Sequence, residues 1–442
     1  MVSISNGHVE PDQTPLESAI SHWLEAVDRP IARMLDRALD GHELSIDEGE
    51  ALFGVTGREM QALLLVADEL RRRAVGDTVT YVVNRNVNFT NVCIKRCGFC
   101  AFSRDHLEEQ GYFLPITELL RRAREAWELG ATEVCIQAGL PPDMRGSLYL
   151  EICQAIKAEL PDMHIHGFSP EEVLYGAARS KCSVEEYLAL LKEAGVGSLP
   201  GTSAEILDPA IRKIIAPGRI SVKNWVRVIT GAHRAGIPTT STIMYGHVES
   251  DRHRAAHIAL LRDIQKDTHG ITEFVPLSFV ASEAPMVRKR MVEGVRRGAT
   301  GTEILKMYAV SRLMLHGFID NIQVSWVKEG TKLAQTCLAA GANDFGGTLV
   351  NESISTAAGA TNGQLVRPVE LRALIREAGR VPAERTTTYG IRHRYDEEPS
   401  EPSPLDLVND EAARFGSYQE LILMDGFRFR PGIAARPVEA LV

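Results

Sequence analysis

The stretch Asn88–Phe102 reads NFTNVCIKRCGFCAF and carries Cys93, Cys97 and Cys100, three of the chain's seven cysteines, within eight positions. Ile94, Lys95 and Arg96 separate the first pair, and Gly98 and Phe99 the second. A closed structural zinc site wants a fourth Cys or His at comparable spacing. The nearest candidate, His106, lies six residues beyond Cys100. A cubane iron–sulfur cluster is a different case, because three thiolates leave one of its irons open to a small ligand. The stretch follows the run TYVVN (80–84), whose composition predicts a strand. The cysteines therefore belong to the first strand-to-helix loop. In an α/β barrel, such loops form the C-terminal mouth where active sites are built.

The rest of the chain supports that architecture. Further candidate strands are EVCIQAG (133–139), HIHGFS (164–169), SLPG (198–201), TTSTIMYG (239–246), ITEFVPLSF (271–279) and NIQVSW (321–326). Helical patterns fall at about 117–129, 147–159, 183–194, 221–235, 250–267 and 301–316. Strands and helices alternating at this spacing predict a parallel sheet. With no dinucleotide fingerprint after the first strand, the series predicts a TIM-type (β/α) barrel rather than a doubly wound sheet. The expected order is a disordered start (1–14), a helical extension (15–76), the barrel core (77–328), a helical region completing the barrel (329–390), and a charged, Pro-rich linker and tail (391–442). Ser45 followed by Glu48 predicts a capping box. LRRRAV (70–75) reads as a basic helix end rather than a nucleic-acid site.

Composition narrows the function. The chain has 442 residues, 44% of them hydrophobic, and a formal charge of −9. That balance argues against a general nucleic-acid binder. No apolar run approaches the roughly 20 residues that span a bilayer, and the polar N-terminus has no apolar signal core, so cytoplasmic residence is expected. An odd number of cysteines in a reducing compartment favours metal or redox chemistry over disulfides. Cys135, Cys153, Cys182 and Cys337 read as packing residues.

The three-then-two cysteine spacing, with an aromatic before the last cysteine, resembles the radical S-adenosylmethionine superfamily. NFTNVCIKRCGFCAFSR, GATEVCIQAGL, HIHGFSPEEV, PGTSAEIL, STIMYGHVES, TEFVPLSFV, GANDFGGTL and RTTTYG, in this order, resemble the tyrosine-using subunit of the deazaflavin (FO) synthases. The resemblance covers roughly residues 80–390. It implies a 4Fe–4S cluster on Cys93, Cys97 and Cys100, with S-adenosylmethionine chelated by the open iron. The implied substrates are L-tyrosine and 5-amino-6-(D-ribitylamino)uracil. The adenosyl radical would take a hydrogen from tyrosine, the Cα–Cβ bond would break, and the 4-hydroxybenzyl fragment would add to C5 of the uracil. The by-products would be 2-iminoacetate, methionine and 5′-deoxyadenosine. Implied partners are a ring-closing radical enzyme and a one-electron donor such as a flavodoxin or ferredoxin. Radical enzymes of the futalosine route share the cluster and the HVE element but tend to carry a glycine run where this chain has PGTSAEIL. One departure stands out. QAGL (137–140) occupies a place where paired glycines are usual, so Ala138 adds a methyl beside the cofactor.

Candidate contacts follow from these strings. The resemblance places Phe99 on the adenine edge, with a plain loop hydrophobe as the alternative. Gln137 and Gly139 would approach the cofactor's amino group. Glu205 and Glu249 follow strands and would bind a ribose hydroxyl or the tyrosine ammonium, or else serve as first-turn helix residues. His164 and His166, two apart on one strand, point to one face. They read as substrate-handling, as buried structural histidines, or as the metal pair of a zinc barrel hydrolase joined by His247 and Glu249. The hydrolase would leave the three-cysteine loop unexplained. Asn343 and Asp344, in the Gly-rich loop read as the eighth strand end, are further substrate-binding candidates.

Overall fold

The computed structural model describes residues 15–397 and 401–435. The expected disordered start, 1–14, lies outside the described residues. The N-terminal extension is four helices, α1 (Pro15–Glu25), α2 (Arg29–Leu39), α3 (Ile46–Gly54) and α4 (Gly57–Val75). The Ser45 hydroxyl accepts the Glu48 amide at 3.2 Å while the Glu48 carboxylate accepts the Ser45 amide at 2.7 Å, so α3 opens on the predicted capping box. The basic end of α4 is neutralised within the helix, since buried Glu69 pairs with Arg72 and Arg73, each at 2.7 Å. Leu63, Val66, Ala67 and Leu70 of α4 are fully buried, and the helix packs on Gly301–Leu315 of the barrel's outer layer.

The first barrel strand runs in two pieces, β1 (Thr78–Val82) and β2 (Asn84–Val87). Then come β3 (Glu133–Ile136), β4 (His164–His166), β5 (Thr239–Tyr245), β6 (Ile271–Ser278), β7 (Asp344–Gly347), β8 (Val381–Arg385) and β9 (Ile391–Arg394). They form three sheets, ordered β7-β1-β8-β9, β2-β3-β4 and β5-β6, all parallel except β8 with β9. Single parallel bridges join the sheets. His166–Ser198 and Leu199–Thr239 link β4 to β5, Phe274–Ile322 and Gln323–Asp344 link β6 to β7, and Arg85–Val350 sets the end of the β7 segment beside β2. Parallel neighbours thus run around a ring and return to the first strand.

SLPG and NIQVSW, expected as strands, contribute only these bridges. Pro200 has no amide to donate, and Gly201 passes so close that a Cβ there would lie 2.0 Å from the Thr240 carbonyl oxygen. HIHGFS shortens because Ser169 caps a helix, Pro170–Ser180, absent from the sequence-based prediction. Its signature of Ser169, Pro170 and Glu172 at the third helical position was present. The region 329–390, expected to be helical, supplies β7 and β8 as well as helices.

In the tail, read from sequence as a charged, Pro-rich linker and tail, β9 pairs with β8 and residues 401–435 fold back as short helical turns against the barrel mouth. Phe429 donates its amide to Gly111 at 2.7 Å and Phe113 donates to Phe427 at 2.8 Å. The Tyr418 and Phe102 rings lie 5.8 Å apart. Buried Arg372 pairs with Asp406 at 3.1 Å. Arg367 and Glu411 make a further pair at 2.6 Å between the barrel and this segment. Among the described residues no helix is long and apolar enough to cross a membrane.

Candidate active site

A cavity of about 380 Å³ occupies the barrel lumen, and Cys93, Cys97 and Cys100 all line it. Backbone hydrogen bonds fix their loop on several sides. Cys93 donates to Arg104 (3.0 Å), Ile94 to Leu140 (2.8 Å) and Gly98 to Ile215 (2.8 Å), while the Met286 amide donates to Gly98 (2.7 Å). Burial pushes the Cys97 thiol up to about 12 and raises that of Cys93. Such thiols stay protonated at neutral pH until a metal takes the proton's place. Among the described residues no three His, Cys, Asp or Glu side chains are placed to hold one metal ion. Thiolates of a cubane bind different irons and need not converge. Three thiols from one loop lining one cavity suit a 4Fe–4S cluster.

Charged side chains frame the sulfurs. Arg219 directs Nη1 to Cys97 Sγ at 3.3 Å and stands 5.3 Å over the Phe99 ring. It also donates to Ser203 Oγ (2.8 Å) and lies 3.4 Å from Glu205 and 3.7 Å from Glu171. Lys95 completes this group 3.0 Å from Glu171. Ser203 and Glu205 both take left-handed backbone conformations, φ 62° and 43°. Non-glycine residues adopt these at a cost and cluster at functional sites.

The turn after β3 presses against the cysteine loop. Gly139 donates to the Thr90 carbonyl at 2.8 Å. A Cβ at Gly139 would lie 2.3 Å from the Val92 carbonyl oxygen, so only glycine fits. Ala138 is accommodated, and its amide donates to Glu172 at 2.9 Å. Burial raises the Glu172 carboxyl to about 7 against its hydrogen bonds from Ser169 and Ala138. Gln137 lines the cavity and accepts the Thr202 hydroxyl at 2.9 Å.

One part of the lumen is a polar floor, with Asn84, Glu133, His166, Glu273, Gln323 and Arg385 on its wall. Glu133 accepts Asn84 Nδ2 at 2.9 Å. Burial lowers His166 to about 4, so its imidazole is neutral. Between the sulfurs and this floor the wall includes Met244, Val275, Leu277, Phe279 and Leu349.

Phe99, Gln137, Gly139, Glu205 and His166 thus meet the three cysteines in one cavity. Other candidates are placed elsewhere. His164 is outside the lining and shares Ser198 Oγ with His166, at 2.8 and 2.7 Å. His247 bonds the Met244 carbonyl and the Val248 amide within its own turn (2.9 and 2.7 Å). Glu249 accepts the Gly246 and His247 amides and pairs with Arg254 at 2.6 Å, so it folds the β5 exit rather than facing the lumen. Asn343 is spent on Arg312 and the Ile322 amide, both at 2.8 Å. Asp344 opens β7, not a loop, and holds Arg385 through Nε (2.5 Å) and Nη2 (2.9 Å). Sequence reasoning passed over Arg219, Glu171, Glu172, Glu273, Gln323 and Arg385. The strings HIHGFSPEEV, TEFVPLSFV, NIQVSW and RTTTYG contain five of the six, but Arg219 and Gln323's pairing with Glu273 follow no local pattern.

Comparisons with known proteins agree with this geometry. Residues 87–261 match the Radical SAM superfamily, and residues 268–398 match the CofH/MqnC C-terminal region. The 5-amino-6-(D-ribitylamino)uracil–L-tyrosine 4-hydroxyphenyl transferase of Methanothermobacter thermautotrophicus is 50% identical over 357 residues, covering 81% of this chain and 96% of that protein. The same-named protein of Methanopyrus kandleri is 50% identical over 345 residues, 78% and 93% of the two chains. Among solved structures, the FeFe-hydrogenase maturase HydG from Carboxydothermus hydrogenoformans superposes with a TM-score of 0.62 at 16% identity, over 97% of this chain and 100% of that one. Methylornithine synthase (PylB) gives 0.57 at 18% identity, over 92% and 100%. The chain belongs to the radical SAM superfamily and, within it, to the family of the 5-amino-6-(D-ribitylamino)uracil–L-tyrosine 4-hydroxyphenyl transferases.

Proposed function

We propose that this protein joins the 4-hydroxybenzyl fragment of L-tyrosine to 5-amino-6-(D-ribitylamino)uracil. The observation that carries the reading is the 50% identity to a transferase of that name over 96% of its length. The cavity's chemistry supports it. Cys93, Cys97 and Cys100 would hold a 4Fe–4S cluster, and Gln137, Gly139, Phe99 and Glu205 would bound the space for S-adenosylmethionine beside it. Bound there, cluster and cofactor supply a carbon-centred radical that abstracts hydrogen.

The chain's own residues do the rest. Arg219 places a fixed positive charge beside Cys97 and over the face of the Phe99 ring. The apolar wall excludes water and offers a surface to an aromatic ring. His166, neutral and bonded through Nδ1 to Ser198, retains Nε2 to take up or deliver a proton. The polar floor suits a ligand rich in hydrogen-bonding groups. The coupled product still has an open ring system, so a ring-closing enzyme must consume it, and a one-electron donor must supply the reductant.

The test is anaerobic incubation of the reconstituted protein with S-adenosylmethionine, a reductant, tyrosine and the ribitylaminouracil. The expected result is an adduct heavier than the uracil by C7H6O, the hydroxybenzyl group gained less the one hydrogen lost as it adds. Turnover of a futalosine-pathway substrate with no adduct would replace this reading, a live contrast because the matched C-terminal family spans CofH and MqnC.

A further inference from the structure

We propose that Gln323, Glu273 and Arg385 form the subsite that reads the imide edge of the uracil substrate. The inference rests on the transferase reading and deepens it. The three residues come from the 322–323 bridge, β6 and the end of β8, and all line the cavity. A uracil imide offers acceptor, donor, acceptor through C2=O, N3–H and C4=O. A complementary site must offer donor, acceptor, donor.

The hydrogen-bond inventory supplies that pattern. Gln323 satisfies its surroundings with its amide nitrogen toward Glu273, 3.2 Å from Oε1 and 3.1 Å from Oε2, close enough together for one N–H to be shared by both oxygens and the second N–H to remain a donor. Glu273 Oε2 also receives the Tyr389 hydroxyl and, at 3.4 Å, Arg385 Nη2. Oε1 has Gln323 alone and keeps an acceptor site. Arg385 has five N–H donors. Nε donates to Asp344 (2.5 Å), Nη2 to Asp344 (2.9 Å) and Glu273 (3.4 Å), and Nη1 to the Thr386 carbonyl (3.1 Å). One Nη1 hydrogen remains.

That count decides between the two substrates. Tyrosine's carboxylate would be gripped best by two parallel N–H groups of one guanidinium, and Asp344 already occupies that fork. A single donor beside a carboxylate oxygen and a carboxamide is instead matched to an imide. Asn86, also in the lining, has a buried Oδ1 with no hydrogen-bond partner, so the floor keeps spare polar capacity for the rest of the ligand.

The experiment is anaerobic calorimetric titration of the full chain with 5-amino-6-(D-ribitylamino)uracil, with its N3-methyl derivative, and with L-tyrosine. Wild type should bind the N3-methyl compound roughly tenfold or more weakly than the parent, the loss expected when a buried acceptor loses its donor. Gln323→Leu and Glu273→Gln should each weaken the parent by a similar factor and leave tyrosine within twofold. Wild type that tolerates N3-methylation overturns the subsite, and so do variants that lose tyrosine while keeping the uracil. The N3-methyl comparison needs no substitution and decides the matter even if a variant fails to fold. Wild type that neither binds the uracil nor forms the adduct would instead remove the transferase reading itself.

Discussion

Gly139 shows how much one missing atom carries. Its backbone lies against the cysteine loop so closely that a methyl would sit 2.3 Å from the Val92 carbonyl, far inside contact distance. Gly139→Ala must push that loop outward, and overpacking of this kind costs about 1–3 kcal/mol. Anaerobic iron analysis and thermal unfolding should show a lower melting temperature and less iron retained per chain. Unchanged values for both would mean that the turn after β3 does not support the loop. Residues at this scale were legible in sequence where chemistry is local. The cysteines are separated by three and two residues, and that spacing alone pointed to a metal centre. Arg219 and Arg385 were not legible, because each meets its partners across loops or strands distant in sequence. His247, Glu249, Asn343 and Asp344 erred in the opposite direction. Each is a polar residue near a strand end, but local amides or a neighbouring arginine already satisfy it, as buried polar groups require.

At the scale of elements, the C-terminal segment departs most from its composition. A charged, Pro-rich stretch reads as a linker because it cannot bury enough apolar surface alone. Here its few aromatic residues are placed on surface the barrel already provides, with Phe429 6.4 Å from Phe113 and Tyr418 beside Phe102. These contacts brace residues 102–113, the return of the cysteine loop. The segment also lies beyond both matched family regions, which end at residue 398. Phe429→Ala removes a buried ring and should cost about 3 kcal/mol, lowering the melting temperature and hastening iron loss to a chelator. Leu423→Ala, at a site 71% exposed, should change neither. Equal behaviour of the two variants would show that the segment does not brace the loop. Strand and helix positions were mostly legible from periodicity, since alternation and 3.6-residue spacing are properties of short windows. SLPG and NIQVSW fell short because a strand's length depends on its neighbours as well as on its own residues.

For the whole molecule, the order of strand and helix units was enough to indicate a parallel barrel, and the ring of pairings follows that order. What composition could not convey is the gradient inside it. Sulfur, arginine and carboxylate sit at the mouth, apolar residues line the waist, and a hydrogen-bonding floor closes the far end. That gradient emerges only when residues from β2 to β8 face one lumen. It brings the three cysteines and the polar side chains of the floor into one cavity. The account turns on the three-cysteine loop holding a cluster with one open iron. The direct measurement is electron paramagnetic resonance of the anaerobically reconstituted, reduced protein with and without S-adenosylmethionine. The account predicts a 4Fe–4S signal that changes on addition of the cofactor and is lost in Cys97→Ala. A colourless, silent zinc protein, or a cluster signal indifferent to S-adenosylmethionine, would contradict it.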